Sequence, residues 1–168
     1  MNNPISLAIS ALLSVLPPVQ AQAQACTMPA ARGIGAVYGE LSRRAVEIVE
    51  RGKANGWQHD VRLRALVAPD ATFSLGSGDV GRPLGTGPAA AHALTADMKA
   101  DSFRYLAWSA IPMEIDPCGE WSVKVEFIDS RNSALADMEF KFCGGALVSA
   151  EGWSQWYVAG QLKSSGKP

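Results

Sequence analysis

From Trp121 to Ile128 the chain alternates apolar and polar side chains. Trp121, Val123, Val125 and Phe127 fall on one side; Ser122, Lys124 and Glu126 fall on the other. A period of two with one apolar side predicts a half-buried strand. Ser130-Arg131-Asn132-Ser133 is wholly polar and reads as a turn, with Asn132 suited to a left-handed backbone. Ala136, Met138, Phe140 and Phe142 then alternate with Asp137, Glu139 and Lys141. Folding this hairpin about Arg131 and Asn132 sets Val123 beside Phe140, Val125 beside Met138 and Lys124 beside Glu139. Apolar groups then meet on one face and opposite charges on the other. Gly144-Gly145 predicts a bulge. Ala150-Glu151-Gly152 predicts a turn, and Trp153 to Leu162 a last strand.

The first half of the chain follows a different period. Ile34, Val37, Tyr38, Leu41, Ala45, Ile48 and Val49 recur at helical spacing, with Glu40, Arg43, Glu47 and Glu50 opposite. They predict one long amphipathic helix, stopped by Asn55-Gly56. A shorter helix is expected over Trp57 to Val67, with His59, Leu63, Leu66 and Val67 on one face. Ala68-Pro69-Asp70 ends it, and Ala71 to Leu75 reads as a short strand. Gly76 to Gly87 is a glycine-rich loop. Pro88 opens a third helix to about Ala100, and Phe103 to Ile115 reads as a strand. Asp116-Pro117-Cys118-Gly119 turns the chain into the main hairpin.

Composition narrows the compartment and the partners. The formal net charge is −1 and no basic run occurs, which argues against nucleic acid and anionic membrane as partners. Residues 1–31 carry no charged side chain. Within them Ile5 to Leu16 is an apolar run of about a dozen residues, too short to span a bilayer. Pro17-Pro18 follows, and then Ala21-Gln22-Ala23 and Ala23-Gln24-Ala25, spacings that fit signal-peptidase cleavage. Residues 1–25 are therefore expected to be a signal peptide, and the protein periplasmic or secreted. What remains is one domain of about 140 residues, enough for a sizeable core. That domain covers residues 33–162, with a flexible tail over 163–168.

Three cysteines, Cys26, Cys118 and Cys143, bear on this picture. Cys118 precedes the Trp121 strand and Cys143 ends its hairpin partner, so a Cys118–Cys143 disulfide is expected in an oxidising compartment. Two buried free thiols are the alternative. Cys26 is then the odd thiol, with lipidation a minor option. The spacings suit no metal.

Leu63-Arg-Ala-Leu-Val-Ala-Pro-Asp-Ala-Thr-Phe73, the loop into Pro88-Ala-Ala-Ala91 and the closing Gly152-Trp153 to Val158 resemble the nuclear transport factor 2-like superfamily. SnoaL-like polyketide cyclases and ketosteroid isomerases share that fold. The resemblance spans about residues 33 to 162. It implies an α+β fold, a cone-shaped curved antiparallel sheet covered by three N-terminal helices, of the cystatin-like barrel type. It also implies an apolar pocket for a small apolar molecule, cofactor-free isomerase or lyase chemistry next to a carbonyl, and a homodimer formed through the sheet. Family enzymes place an Asp on a strand and a Tyr from the first helix inside the cone. Tyr38 matches the second; the inward strand positions Val123, Val125, Phe127, Met138, Phe140 and Phe142 offer no Asp.

Candidate chemistry is sparse, and each residue has a structural alternative. His59, on an apolar face, is the candidate base, or else a histidine bonded to a carbonyl. Tyr38 is the candidate donor to a substrate oxygen, or an interior Tyr bonded to protein. Asp60 would orient His59 or cap a helix. Asp97, bordering an apolar face, would carry a raised pKa or form a salt bridge. His92 reads as a surface residue. Trp57, Phe73, Trp108, Val125, Phe127, Met138, Phe140 and Trp156 are the expected pocket lining, with core packing as the alternative. Gly76 to Gly87 lacks the spacing and lysine of a phosphate loop and reads as a connection, mobile at the cavity's lip. No cofactor and no metal site is implied. Three functions stay open: an exported binder of a small apolar molecule, an isomerase or cyclase using His59 and Tyr38, and a dimeric interaction module using the outward sheet face.

Overall fold

The computed structural model describes residues 25–30, 33–106 and 115–158. Trp108, residues 1–24 and the tail over 163–168 lie outside the described residues. Helix α1 (Ile34–Lys53) is followed by a single 3-10 turn (Trp57–His59) and a short α2 (Val61–Leu66). Strands β1 (Val67–Ser77) and β2 (Pro83–Thr86) lead into α3 (Gly87–Met98). Then come β3 (Ser102–Tyr105), β4 (Glu120–Asp129), β5 (Ala134–Cys143) and β6 (Ala146–Trp156). The six strands form one sheet in the order β2-β1-β6-β5-β4-β3. β2 and β3 are its two free edges, so the expected α+β fold holds while the sheet stays open rather than closing into a barrel. All neighbours are antiparallel except β1 and β6, which run parallel.

The hairpin register read from alternation is the one observed: Val123 faces Phe140, Val125 faces Met138 and Lys124 faces Glu139. Its apolar side meets α1, whose Val37, Tyr38, Leu41, Ala45, Ile48 and Val49 are all buried. Burial of that face, at roughly 25 cal/mol per Å² of apolar surface, is what holds a solvent-facing helix on a sheet.

Four local expectations are corrected. Gly144-Gly145 is not a bulge but the two-residue turn joining β5 to β6, with φ of 60° and 82°. Two consecutive left-handed residues make the turn whose twist matches a hairpin, and glycine adopts them without strain. The bulge lies instead between Lys141 and Phe142. β6 consequently starts at Ala146 and runs straight through Ala150-Glu151-Gly152. The Gly76–Gly87 stretch contains β2, which pairs with β1. In the β4–β5 turn it is Ser133, not Asn132, that takes a left-handed φ, of 52°. Asn132 instead donates from its backbone and side chain to the Asp129 carboxylate, which also accepts from Arg131 N.

The disulfide expectation is corrected as well. Cys26 pairs with Cys118, with a Cα–Cα distance of 5.5 Å, and Cys143 is a free, exposed thiol. Cys143 lies opposite Glu120 in the ladder, so Cys118 is offset from it along the strand rather than facing it. The N-terminal segment supplies the closer partner: Thr27 N donates to Gly144 O at 2.9 Å, which brings Cys26 to the end of the hairpin. Arg44 of α1, 4% exposed, clamps this segment. It donates to Thr27 O, Thr27 Oγ1 and Gly145 O and pairs with Glu40.

Candidate functional site

The residues expected to line a pocket inside the sheet are its packed core. Phe73, Val125, Phe127, Met138 and Phe140 are at most 2% exposed. A void that admitted water beside them would leave part of their surface accessible, so these side chains meet one another directly. Phe127 and Phe140 have ring centroids 6.0 Å apart. Tyr38 is 3% exposed and lies edge-on to Trp121 at 5.3 Å; burial raises its pKa above the usual phenol value. Trp57 is half-buried and stacks on His92 at 4.8 Å. Trp156 ends β6 and is 79% exposed.

The titratable candidates do not come together. His59 closes the 3-10 turn and is exposed, off the α2 face that buries Leu63 and Leu66, because α2 starts only at Val61, four residues after the expected start at Trp57. Asp60 caps α2, accepting from Arg62 N at 2.8 Å and Leu63 N at 2.9 Å, and pairs with Arg51. The Leu63 amide, then Arg51 and last the Arg62 amide, hold its carboxyl below the ordinary range. Asp97 pairs with Arg82. His92, expected at the surface, ties two helices together: Nδ1 contacts Gly52 O at 2.8 Å.

The outward face of the sheet carries the denser chemistry. One row of cross-strand partners runs Arg104, Glu126, Asp137, Trp153 and Gly76 over β3, β4, β5, β6 and β1. The next row runs Lys124, Glu139, Glu151 and Ser74. Between the two rows is a cleft of about 350 Å³, lined by residues of both rows together with Gly81, Leu106, Met138 and Gly152. Trp153 forms one wall, lying over Gly76, whose missing side chain leaves space for the indole ring.

Within the first row two carboxyls face each other. Glu126 is 4% exposed and is held by the Arg104 guanidinium, which donates from Nη2 to Oε2 at 2.9 Å. Asp137 sits directly opposite. Its pKa is raised, first by burial, then by the Glu126 charge and by a hydrogen bond shared with Glu126. Asp137 Oδ2 accepts from Gln155 Nε2 at 3.2 Å. The buried Asp137 Oδ1 meets no N–H or O–H donor among the described residues. In the second row Lys124 pairs with Glu139 at 3.8 Å and Lys141 with Glu151 at 2.9 Å, so these charges are matched within the chain.

A signal for this site was present in the sequence. The hairpin register that pairs Lys124 with Glu139 also places Glu126 opposite Asp137, two like charges in direct opposition, which a strand pair avoids unless a proton or cation intervenes. Arg104 carries no such signal, because β3 is only four residues long and its pairing is not local. Among the described residues no group of three or more His, Cys, Asp or Glu side chains is arranged to hold a metal ion.

No family model and no curated protein matches this chain. Among solved structures it is similar to an NTF2-like protein of unknown function from Burkholderia xenovorans LB400, at 13% identity over 71% of this chain and 86% of that one, with a TM-score of 0.44. It is similar to a candidate SnoaL-like polyketide cyclase from Jannaschia sp. CCS1, at 9% identity over 74% and 92%, with a TM-score of 0.45. A third is the de novo designed NTF2 fold protein NT-9, at 12% identity over 73% and 87%, with a TM-score of 0.41. In fold, this chain resembles NTF2-like and SnoaL-like proteins.

Proposed function

We propose that this is an exported small-molecule-binding protein whose ligand site is the cleft on the outward sheet face. The observation that carries the reading is the placement of a flat aromatic wall, Trp153, and a carboxyl, Asp137, that faces Glu126 across the ladder, around one concave space. A cleft of about 350 Å³ is at the small end of ligand sites. Its occupant is a compact molecule with one apolar face for the indole and hydroxyl or ammonium donors for Asp137, Glu139 and Glu151. Such a ligand differs from the wholly apolar one expected inside the cone, where Phe73, Val125 and Phe140 occupy the space. Export is supported by the Cys26–Cys118 disulfide, which persists only where thiols are oxidised. No helix among the described residues is long and apolar enough to cross a membrane.

A second reading, acid–base catalysis, is favoured by one observation. Asp137, whose pKa is raised by burial and then by the Glu126 charge, opens on the cleft. A carboxyl in that state suits a general acid better than exposed His59 suits a base.

The test is a thermal-shift screen of small amines and polyols, repeated on Asp137→Asn and Trp153→Leu. Ligands that stabilise the wild type should lose their effect in both variants. Undiminished shifts in both variants would move the binding site elsewhere. Turnover of a bound compound that vanishes in Asp137→Asn would favour the catalytic reading.

A further inference from the structure

Three chain segments meet at one end of the sheet, and each brings a cysteine. Gly144 joins them. Its N–H donates to Cys118 O at 3.0 Å, and its carbonyl accepts from Thr27 N at 2.9 Å. The residue before it is Cys143, whose thiol is free and exposed. Cys26 and Cys118, the two halves of the disulfide, are exposed as well. Cys143 is the ladder partner of Glu120. Cys118 lies two residues before Glu120, in the turn that leads into β4, and its carbonyl bonds the residue that follows Cys143. Both cysteines therefore adjoin turns, Asp116 to Gly119 and Gly144-Gly145, rather than sitting in the middle of the ladder.

We propose that Cys143 is an internal exchange thiol that moves the disulfide from Cys26–Cys118 to Cys118–Cys143 and frees Cys26. The Cys143 thiolate attacks Cys118 Sγ, so that a Cys118–Cys143 bond forms and the Cys26–Cys118 bond breaks. The electron pair leaves on Cys26 Sγ, which takes up the proton that Cys143 gave. One disulfide and one thiol exist before and after, so the step needs no oxidant or reductant. The charged groups around the reaction are Glu120 opposite Cys143, Asp116 accepting from Cys118 N, and Arg44 beneath the Gly144-Gly145 turn.

The exchange releases a strap. A Cβ added to Gly145 would lie 2.9 Å from Thr27 Oγ1, 2.8 Å from Met28 Cγ and 2.7 Å from Arg44 Nη1, so the N-terminal segment is seated in the space that this glycine leaves. Besides the disulfide, Thr27 holds it through Gly144 and Arg44. With the covalent tie moved, those bonds alone retain it, and the middle of α1 around Arg44 opens to whatever displaces them. This inference is independent of the cleft.

The test is a disulfide map of the purified protein without added thiol or oxidant. Samples are held anaerobically at pH 6 and at pH 8.5, acid-quenched, alkylated with N-ethylmaleimide and digested unreduced for mass spectrometry. The expected result is a Cys118–Cys143 cross-link with maleimide on Cys26, growing at the higher pH, and its absence in Cys143→Ser. Maleimide on Cys143 alone at both pH values, or a Cys26–Cys143 cross-link, would overturn the proposal. Cys26→Ser provides an independent arm: under oxidised glutathione it should close Cys118–Cys143. If both thiols stay free of each other in that variant, the proposal fails.

Discussion

Trp153 lies against Gly76, its cross-strand partner in the parallel β1–β6 pair, so closely that a methyl group on Gly76 would overlap the indole ring. The contact sets one wall of the outward cleft. Trp153 is 48% exposed and free to swing outward, so the overlap can be relieved without moving backbone. Gly76→Ala should therefore change stability by about 1 kcal/mol or less, while shifting the tryptophan emission and abolishing ligand-induced thermal shifts. Chemical denaturation and fluorescence on the same samples separate the two effects. An unchanged emission spectrum would mean that Trp153 does not rest on β1.

The disulfide joins residues 92 apart in sequence. Closing so long a loop restrains the unfolded chain, and its loss should cost about 4 kcal/mol. Cys118→Ser should show that loss in urea denaturation, and reduction of the wild type should reproduce it. Cys143→Ser, at an exposed free thiol, should leave the midpoint almost unchanged. Equal losses in the two serine variants would point to Cys143 as a disulfide partner in the resting protein.

Arg44 is a cation on a helix whose neighbouring positions face the core, and four oxygen partners surround it. Arg44→Met keeps the volume but leaves Gly145 O and the Thr27 oxygens without their donor. The expected cost is about 3 kcal/mol, measured by urea denaturation. Hydrogen exchange should show the Thr27 amide unprotected in the variant, since the strap it anchors is no longer clamped.

Much of this architecture is written locally. β4, β5 and their register follow from alternation and one polar turn, because each strand's apolar positions can be buried only one way against the other's. α1 follows likewise from a single apolar stripe. What was not legible depends on partners distant in sequence. β1 pairs in parallel with β6, more than seventy residues on, and neither strand announces that choice. β2 hides within a glycine-rich stretch because an edge strand has only one neighbour to satisfy. Cys26 reaches Cys118 only through a segment docked by Arg44, whose partners Thr27 and Gly145 lie far from α1 in sequence. The candidate site was half-legible. Glu126 and Asp137 could be placed opposite each other, but nothing local reveals that Glu126 and the Oδ1 atom of Asp137 are withdrawn from water.

Asp137 provides the pH prediction, and its sign is opposite to that of Glu47, Asp60, Asp101 and Asp129. Glu47, Asp60, Asp101 and Asp129 have pKa values lowered by their hydrogen-bond partners, so the stability they supply is present above the unfolded carboxylate pKa and is lost as pH falls. Asp137 has a raised pKa, chiefly from burial and the Glu126 charge. Its favourable contribution is complete below the unfolded aspartate pKa and is lost as pH rises through the raised folded value, where a second negative charge must form beside Glu126. Asp137→Asn removes that charge and retains an acceptor for Gln155. The variant should therefore be more stable than wild type at pH 7 and above. The advantage should shrink on acidification and vanish once pH falls below the unfolded aspartate pKa, where both proteins carry a neutral side chain. Urea midpoints of the pair, measured every half unit from pH 4 to pH 8, give the curve. A difference that stays constant over this range would mean that Asp137 is already ionised throughout, and that Arg104 and Lys124 alone balance the two carboxylates.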